Sequence, residues 1–149
     1  MERYFITSGA GTSAYQLVAF DNALLSARIS NYNLVRVSSI LPAGCAKRSF
    51  IDLPLASPLY TAFATVSSDI PGTRLATAIA VGIPKDSNMI GIIMEAKSET
   101  AESAAEMARN MVTEAMANHT IELDHIEFSA VEGVVEEGFL SLISAISMW

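Results

Sequence analysis

The chain has 149 residues, of which 51% are hydrophobic and 17% are charged, and its formal net charge at pH 7 is −7. This length suits one domain with a substantial core, and the lack of a basic patch argues against nucleic acid as a partner. So small a domain has much surface to cover with polar groups. The shortage of charged residues therefore predicts that part of the surface is covered in a homo-oligomer.

The first half of the chain predicts two strands, a helix and two loops. Their order is a strand over 4–7, a glycine-bearing loop over 8–13, a helix over 14–29, a strand over 33–38 and a loop over 43–55. Ser13 is the predicted N-cap of the helix. No Lys-Ser/Thr pair follows Gly11, so the glycine loop is not interpreted as a phosphate site.

The second half predicts five strands, one helix and no linker. The strands cover 59–66, 74–83, 89–96, 121–131 and 139–148, and the helix covers 100–118. The strands over 59–66 and 74–83 are joined at Pro71-Gly72, which is a typical turn pair. The helix carries an apolar stripe from Ala101 to Met116. Without repeats or linkers, the pattern favours a single α+β domain with helices packed on sheets.

The cysteine content indicates the cellular location of the protein, and the cysteine, histidine and apolar patterns argue against metal and membrane partners. Cys45 is the single cysteine, so it forms no intrachain disulfide, which is typical of a reducing compartment and predicts a cytoplasmic location and a structural thiol. Cys45, His119 and His125 lack zinc-ligand spacing, so no metal is expected. The apolar run over 139–149 is too short to span a bilayer, and no membrane partner is expected.

The pair Ser38-Ser39 carries the chemistry that the sequence suggests. It ends a β-branched run and lies shortly before Pro42, so a strand stops there and the backbone turns. A serine hydroxyl at such a junction can attack the preceding carbonyl, and elimination and hydrolysis of the ester would leave a pyruvoyl ketone. A second pair, Ser67-Ser68, shows that two adjacent serines alone are not specific.

The segment Asn33–Pro42 resembles the self-cleavage segment of the pyruvoyl-dependent arginine decarboxylases. Other stretches are similar to that family in the same order, namely Ala19–Leu25, Ser68–Gly72, Ile83–Asp86, Ile92–Glu95 and, more weakly, Glu122–Glu127 with Ala130–Glu132. The resemblance covers the chain from about residue 8 to the C-terminus. The shared order of the motifs carries it, since no single motif is decisive.

This resemblance implies a four-layer α-β-β-α sandwich, assembled as a trimer or as paired trimers. It implies self-cleavage into a β chain, 1–38, and an α chain, 39–149. The cofactor would be a covalent pyruvoyl group derived from Ser39, with no pyridoxal phosphate. The implied activity is conversion of L-arginine to agmatine and carbon dioxide through a Schiff base on that group, which acts as the electron sink.

The resemblance implies that three residues take part directly in the chemistry. Ser39 is the nucleophile and the pyruvoyl precursor, and Ser38 supplies the attacked carbonyl. Glu95 falls on the position of the family's catalytic acid. Its place after the apolar run 90–94 predicts desolvation that favours the protonated form. From the run alone, a strand-end carboxylate in solvent is the alternative.

Asp21 matches the guanidinium-binding aspartate of the family, and Asn33 matches its active-site asparagine, which is a catalytic position. Asp21 lies four residues from both Leu17 and Leu25, so it is predicted beside an apolar helix face, where it would bind a guanidinium. Its alternative is a boundary carboxylate near Arg28. Asn33 would orient the scissile carbonyl and later the substrate, and its alternative is a turn residue.

Two departures from the family pattern lie near the expected pocket. Leu17-Val18 replaces a Leu-Asn pair, and Pro42-Ala43 replaces a Pro-Pro pair. They leave two alternatives open. One is the same chemistry on another cationic amino acid, and the other is an unprocessed, non-catalytic paralogue that serves as a structural subunit.

Overall fold

A computed structural model describes every residue from Met1 to Trp149. The elements in chain order are β1 (Arg3–Ser13), α1 (Gln16–Ser26), β2 (Asn33–Arg36), β3 (Ile40–Leu41), β4 (Ala46–Lys47), β5 (Pro58–Ser68), β6 (Arg74–Pro84), β7 (Gly91–Ser98), α2 (Ala101–Asn118), β8 (Leu123–Val134) and β9 (Phe139–Met148). They form one small α+β domain with two sheets, as predicted.

The first sheet has five strands in the order β2-β5-β9-β1-β4, and the second has four in the order β3-β7-β6-β8. Strand β9 lies at the centre of the first sheet and pairs antiparallel with both β1 and β5. Because neighbours cover it on both edges and both faces, it is buried from Leu140 to Met148. Its bounds are those that the sequence predicts.

The segment 8–13 is part of a strand and not a loop, which corrects the prediction. β1 runs for 11 residues, and α1 packs directly on its backbone. A Cβ on Gly9 would lie 2.4 Å from the Ala23 carbonyl oxygen, and one on Gly11 would lie 2.3 Å from the Ala23 amide nitrogen. The two glycines therefore permit close contact between helix and strand.

Helix α1 is shorter than predicted at both ends. Ser13 still pairs with Phe139 in the sheet, so it is not the N-cap. Tyr15 takes that position without a side-chain cap, and the Tyr15 amide donates to the Ser13 hydroxyl at 3.2 Å. The residues that α1 buries against the first sheet are mostly small, namely Ala19, Ala23 and Leu24.

Helix α2 covers the second sheet as its apolar stripe predicts. The Thr100 side chain is the N-cap and accepts a hydrogen bond from the Ser103 amide. Ala104, Ala108 and Val112 are fully buried against β6 and β7. An apolar stripe that keeps the 3.6-residue period along all 18 residues of the helix explains why the sequence identified α2.

The two sheets pack face to face through apolar side chains and a short chain of hydroxyls. Ile79, Ile93 and Ile146 belong to the apolar cluster between the sheets. Ser144, fully buried on β9, lies 2.8 Å from the hydroxyl of Thr77 on the second sheet. Hydroxyls placed here fix the position of one sheet on the other, because leaving any of them unpaired would be costly.

Other predicted strands exist with shifted ends. The predicted strands over 59–66 and 74–83 extend to Pro58–Ser68 and Arg74–Pro84. Those over 89–96 and 121–131 shift towards the C-terminus, to Gly91–Ser98 and Leu123–Val134, and that over 33–38 stops at Arg36. β5 and β6 lie in different sheets, so the turn at Pro71-Gly72 carries the chain between sheets and closes no hairpin.

Cys45 lies in the connection between β3 and β4. Its thiol is half-buried and donates to the Met1 carbonyl at 3.3 Å. Burial raises the pKa of the Cys45 thiol, which opposes a nucleophilic role and agrees with a structural thiol. No helix has both the length and the apolarity needed to cross a membrane.

A cluster of charged and polar side chains joins the sheets at the edge formed by β1, β4 and β8. The Tyr4 hydroxyl donates to Glu127 at 2.8 Å, and Lys47 Nζ lies 3.2 Å from the same carboxylate. Burial favours a higher pKa for Glu127, but hydrogen bonds from Tyr4 and Lys47 outweigh it and hold the pKa below its ordinary value. A hydrogen bond to Asp124, together with Glu127, raises the pKa of His125.

These shifts predict a pH-dependent contribution to stability. A lowered carboxyl pKa adds stability above the ordinary value of 4.5, which is lost as the pH falls through the folded pKa. We expect Glu127→Gln to lower Tm by about 2–4 °C near pH 6, since a half-buried pair contributes about 1 kcal/mol. The deficit should disappear at strongly acidic pH, where the native carboxyl is protonated too.

Thermal unfolding followed by circular dichroism between pH 3 and pH 8 measures this effect. Glu106→Gln, an exposed change on α2, is the matched control and should lower Tm equally little at every pH. A Glu127→Gln deficit of the same size at pH 3 and pH 6 would show that the charge of Glu127 is not the cause.

Candidate active site

The bond between Ser38 and Ser39 lies where the chain passes from one sheet to the other. β2 is the edge strand of the first sheet and β3 is the edge strand of the second. The Val37 amide donates to Thr61 on β5 at 3.1 Å, and the Ile93 amide of β7 donates to the Ser39 carbonyl at 2.8 Å. The Ser38 carbonyl between these anchors accepts no backbone hydrogen bond.

A cavity of about 460 Å³ opens at this crossover, a volume within the range of small-molecule sites. Its lining residues are Arg36, Val37, Ser38, Ser39, Ala62, Ile93, Met94 and Glu95. The cavity brings together three of the five site residues that the sequence predicts: both serines and Glu95. Glu95 is its only acidic residue and Arg36 its only basic one.

The environment of Glu95 differs from the desolvated site that the apolar run predicts. Glu95 lies on β7, its side chain is 42% exposed, and its Oε1 is 3.3 Å from Arg36 Nη2. Of the preceding apolar residues, Ile92 and Ile93 are buried in the apolar clusters on the two faces of the second sheet. β3 pairs with β7 only at Gly91 and Ile92, so it does not cover Glu95.

Asn33 does not line the cavity, although it opens β2. Its side-chain amide donates to the Ala56 carbonyl at 2.7 Å. Ala56 has a φ of 65°, a left-handed conformation that is rare for alanine. In the single chain Asn33 therefore stabilises the loop before β5, which is close to the turn role given as its alternative.

Asp21 also lies away from the serine pair within one chain. It is exposed on the outer side of α1, and it does not pair with Arg28, whose guanidinium lies 5.1 Å from the centre of the Phe5 ring. Leu17 and Leu25 beside Asp21 are 78% and 53% exposed. The apolar face predicted around Asp21 is thus present, and it is uncovered.

The sequence is similar to known proteins along nearly its whole length. Residues 3–148 match the family described as pyruvoyl-dependent arginine decarboxylase. The chain belongs to the pyruvoyl-dependent arginine decarboxylase family. A relative of that name from Methanocaldococcus jannaschii is 38% identical over 133 residues, which cover 89% of this chain and 81% of the relative. Another relative of that name, from Thermococcus kodakarensis, is 35% identical over an alignment that covers 99% of this chain and 95% of the relative.

A solved structure supports the fold separately. The structure of a pyruvoyl-dependent histidine decarboxylase at pH 8 matches 72% of this chain with a TM-score of 0.50 and 15% sequence identity. The match covers 53% of the length of that histidine decarboxylase, so this chain spans about half of it. At this identity the similarity concerns the fold alone.

Pyruvoyl-dependent decarboxylases use a ketone made from their own chain and no pyridoxal phosphate. The residues of this chain fit such a group, because Ser39 is the serine from which it would form and Ser38 lies beside it in the same cavity. The cavity is open to solvent, so water can reach the pair. No three His, Cys, Asp or Glu side chains converge to hold a metal ion.

Arg36 is a lining residue that the sequence interpretation missed. Its guanidinium lies 4.3 Å from the centre of the Phe63 ring, and Nη2 donates to the Phe63 carbonyl at 2.8 Å. One signal was available in the sequence: in the predicted strand over 33–38, residues two apart would share a face, which would place Arg36 beside Ser38. Its partners Phe63 and Glu95 are distant in sequence and give no local signal.

Proposed function

We propose that this chain cuts itself between Ser38 and Ser39 and then decarboxylates L-arginine to agmatine and carbon dioxide. The observation that carries the proposal is the crossover cavity, which holds the serine pair and one carboxylate in a chain of this family. The two products of self-cleavage would be residues 1–38 and 39–149. The free thiol of Cys45 agrees with the cytoplasmic location predicted for the enzyme.

Self-cleavage begins when Ser39 Oγ attacks the Ser38 carbonyl carbon. The peptide C–N bond breaks, and an ester then joins the Ser38 carbonyl to Ser39 Oγ. The anchoring of Val37 and Ser39 to different sheets supports this step, since it restricts the junction at which the two groups react. The resulting pyruvoyl group supplies the electron sink for loss of carbon dioxide.

Glu95 is the proposed proton donor to the carbon that loses carbon dioxide. It is the only acidic side chain that lines the cavity, and it lies on a rigid strand paired with Ile79 of β6. Its exposure in the single chain is compatible with this role if a neighbouring subunit covers the cavity, because closing the site would exclude water and strengthen its interactions.

We infer a trimeric assembly in which α1 of one subunit covers the cavity of the next. The uncovered apolar face around Asp21 supports this arrangement, as does the low charge fraction. Packing of α1 on the first sheet, of α2 on the second, and of the sheets on each other supports a four-layer α-β-β-α sandwich. Light scattering should then give a trimer or a multiple of three.

Asp21 is the proposed partner of the substrate guanidinium. We expect Asp21→Asn to raise KM for arginine about 10- to 150-fold with a smaller change in kcat, since a charged hydrogen bond contributes about 1.5–3 kcal/mol. Steady-state kinetics of processed protein measures the split. Asp69→Asn, an exposed change in the β5–β6 connection, is the control and should leave KM unchanged.

Co-expression distinguishes a shared site from one within a single chain. If these residues come from neighbouring subunits, about a quarter of the sites in random trimers of Asp21→Asn and Glu95→Gln chains would be intact. Activity near that fraction supports the assembly. Activity no higher than that of either variant alone would place both residues in one subunit.

Release of carbon dioxide from carboxyl-labelled L-arginine tests the proposed activity. We expect agmatine as the product and no need for added pyridoxal phosphate. Lysine and ornithine, which lack the guanidinium, should be turned over far more slowly. Preferred turnover of either one would replace arginine with another cationic substrate, and no turnover of any by fully processed protein would refute the decarboxylase.

A further inference from the structure

We propose that the Arg36 guanidinium is the counter-ion for the carboxylate that Ser38 acquires when the chain is cut, and that it releases Glu95 in the exchange. The inference rests on the self-cleavage proposed above. It concerns the formation of the cofactor and not the decarboxylation, so it can be tested without arginine.

Phe63 fixes the position of the Arg36 guanidinium. The ring of Phe63 lies under it at 4.3 Å, and the Phe63 carbonyl accepts a hydrogen bond from Nη2 at 2.8 Å. A guanidinium has five N–H donors in a planar fork, so these contacts and the 3.3 Å contact to Glu95 leave donors available. Arg36 is therefore a positioned cation at the edge of the cavity.

The scissile bond is within reach of this cation. Arg36 and Ser38 are separated by a single residue, Val37, whose amide donates to the Thr61 carbonyl. Both residues line the same cavity, and no other basic side chain does. A negative charge formed at the Ser38 carbonyl thus has Arg36 as its only cationic neighbour in the cavity.

That charge forms in the elimination step. The ester links the Ser38 carbonyl to Ser39 Oγ. Water takes the Cα proton of Ser39, a Cα=Cβ double bond forms, and the Cβ–Oγ bond breaks with both electrons on oxygen. Ser38 leaves as a carboxylate, and a second water later replaces the amino nitrogen of residue 39, which departs as ammonia. A bidentate guanidinium stabilises the leaving carboxylate and therefore speeds this step.

Arg36 can change partners at little cost. The side chains of Arg36 and Glu95 are 57% and 42% exposed, and ion pairs that are open to solvent are weak. The new carboxylate is on the same fragment, two residues away, so its effective concentration is high. The exchange leaves the Glu95 carboxyl without its ion-pair partner.

The test compares three variants of the full chain: Arg36→Gln, Arg36→Lys and the control Arg109→Gln. Arg109 is a matched control because it also lies over a ring, that of Phe128 at 4.7 Å, but outside the cavity. Denaturing mass spectrometry follows the appearance of residues 39–149 with time. Parallel samples receive hydroxylamine, which cuts the ester and leaves a serine at position 39.

We expect Arg36→Gln to form the fragments at least about tenfold more slowly and to contain more chain that hydroxylamine cuts, because the ester accumulates. Arg36→Lys, which keeps the charge, should recover part of the rate, and Arg109→Gln should match the native chain. Native-rate cleavage of Arg36→Gln overturns this inference and leaves the proposed function standing. Slow cleavage without accumulated ester overturns it too, because Arg36 would then act before elimination. A native chain that never cuts overturns both proposals.

Discussion

Ser39→Ala should remove self-cleavage and decarboxylation together. Alanine has no hydroxyl to attack the Ser38 carbonyl, so no ester and no ketone can form. Denaturing mass spectrometry should show one intact chain after prolonged incubation, and labelled arginine should release no carbon dioxide above background. The fold should survive, since Ser39 is only partly buried and lies outside every strand.

The second serine pair provides the control. Ser67 and Ser68 end β5 within a regular ladder, where Ser68 pairs with Leu140. Ser68→Ala should therefore cut between residues 38 and 39 at the native rate. Ser38→Ala should retain some cleavage, because residue 38 supplies its carbonyl and not its hydroxyl. Activity in an uncut Ser39→Ala chain would show that this chain uses no pyruvoyl group.

Glu95→Gln should separate processing from turnover. Glutamine keeps the size of the side chain but cannot deliver a proton, so kcat should fall by roughly two to four orders of magnitude. The chain should still cut itself, and borohydride with arginine should still add mass to residues 39–149. Measured kcat and the mass of the trapped fragment test both statements.

Glu106→Gln on the outer side of α2 is the control for charge and should keep native kcat. Native turnover by Glu95→Gln would assign the proton to another group. Loss of self-cleavage in Glu95→Gln would mean instead that Glu95 takes part in forming the cofactor.

The sequence predicts best those elements whose signal is local. α2 has a capping threonine and an apolar stripe of the right period, and β9 is an apolar run with no polar interruption other than serine. The serine pair also stands out locally, because a strand ends there before Pro42. These features were predicted with correct or nearly correct bounds.

The sequence fails where the cause is a contact between distant segments. Gly9 and Gly11 are typical of a loop until α1 is seen to pack on them. Glu95 follows a buried run, but only the pairing of distant strands reveals that β3 contacts β7 at Gly91 and Ile92 and does not reach Glu95. Arg36 gains its importance from Phe63 and Glu95, which lie 27 and 59 residues away.

Asp21 illustrates a third limit. Its apolar surroundings on the helix were predictable from spacing, yet within one chain it lies outside the cavity that holds Ser39 and Glu95. The site proposed for Asp21 lies in a neighbouring subunit, and a residue in such a position would have no partner in its own chain. Neither the sequence nor a single-chain structure displays such a contact directly.

A denaturing mass spectrum of the purified native chain, taken after incubation at its working temperature, tests the central claim most directly. Self-cleavage predicts two fragments, residues 1–38 with a free carboxylate and residues 39–149 with an N-terminal pyruvoyl group that blocks Edman sequencing. A single mass for the intact 149-residue chain would contradict self-processing and the catalysis that depends on it.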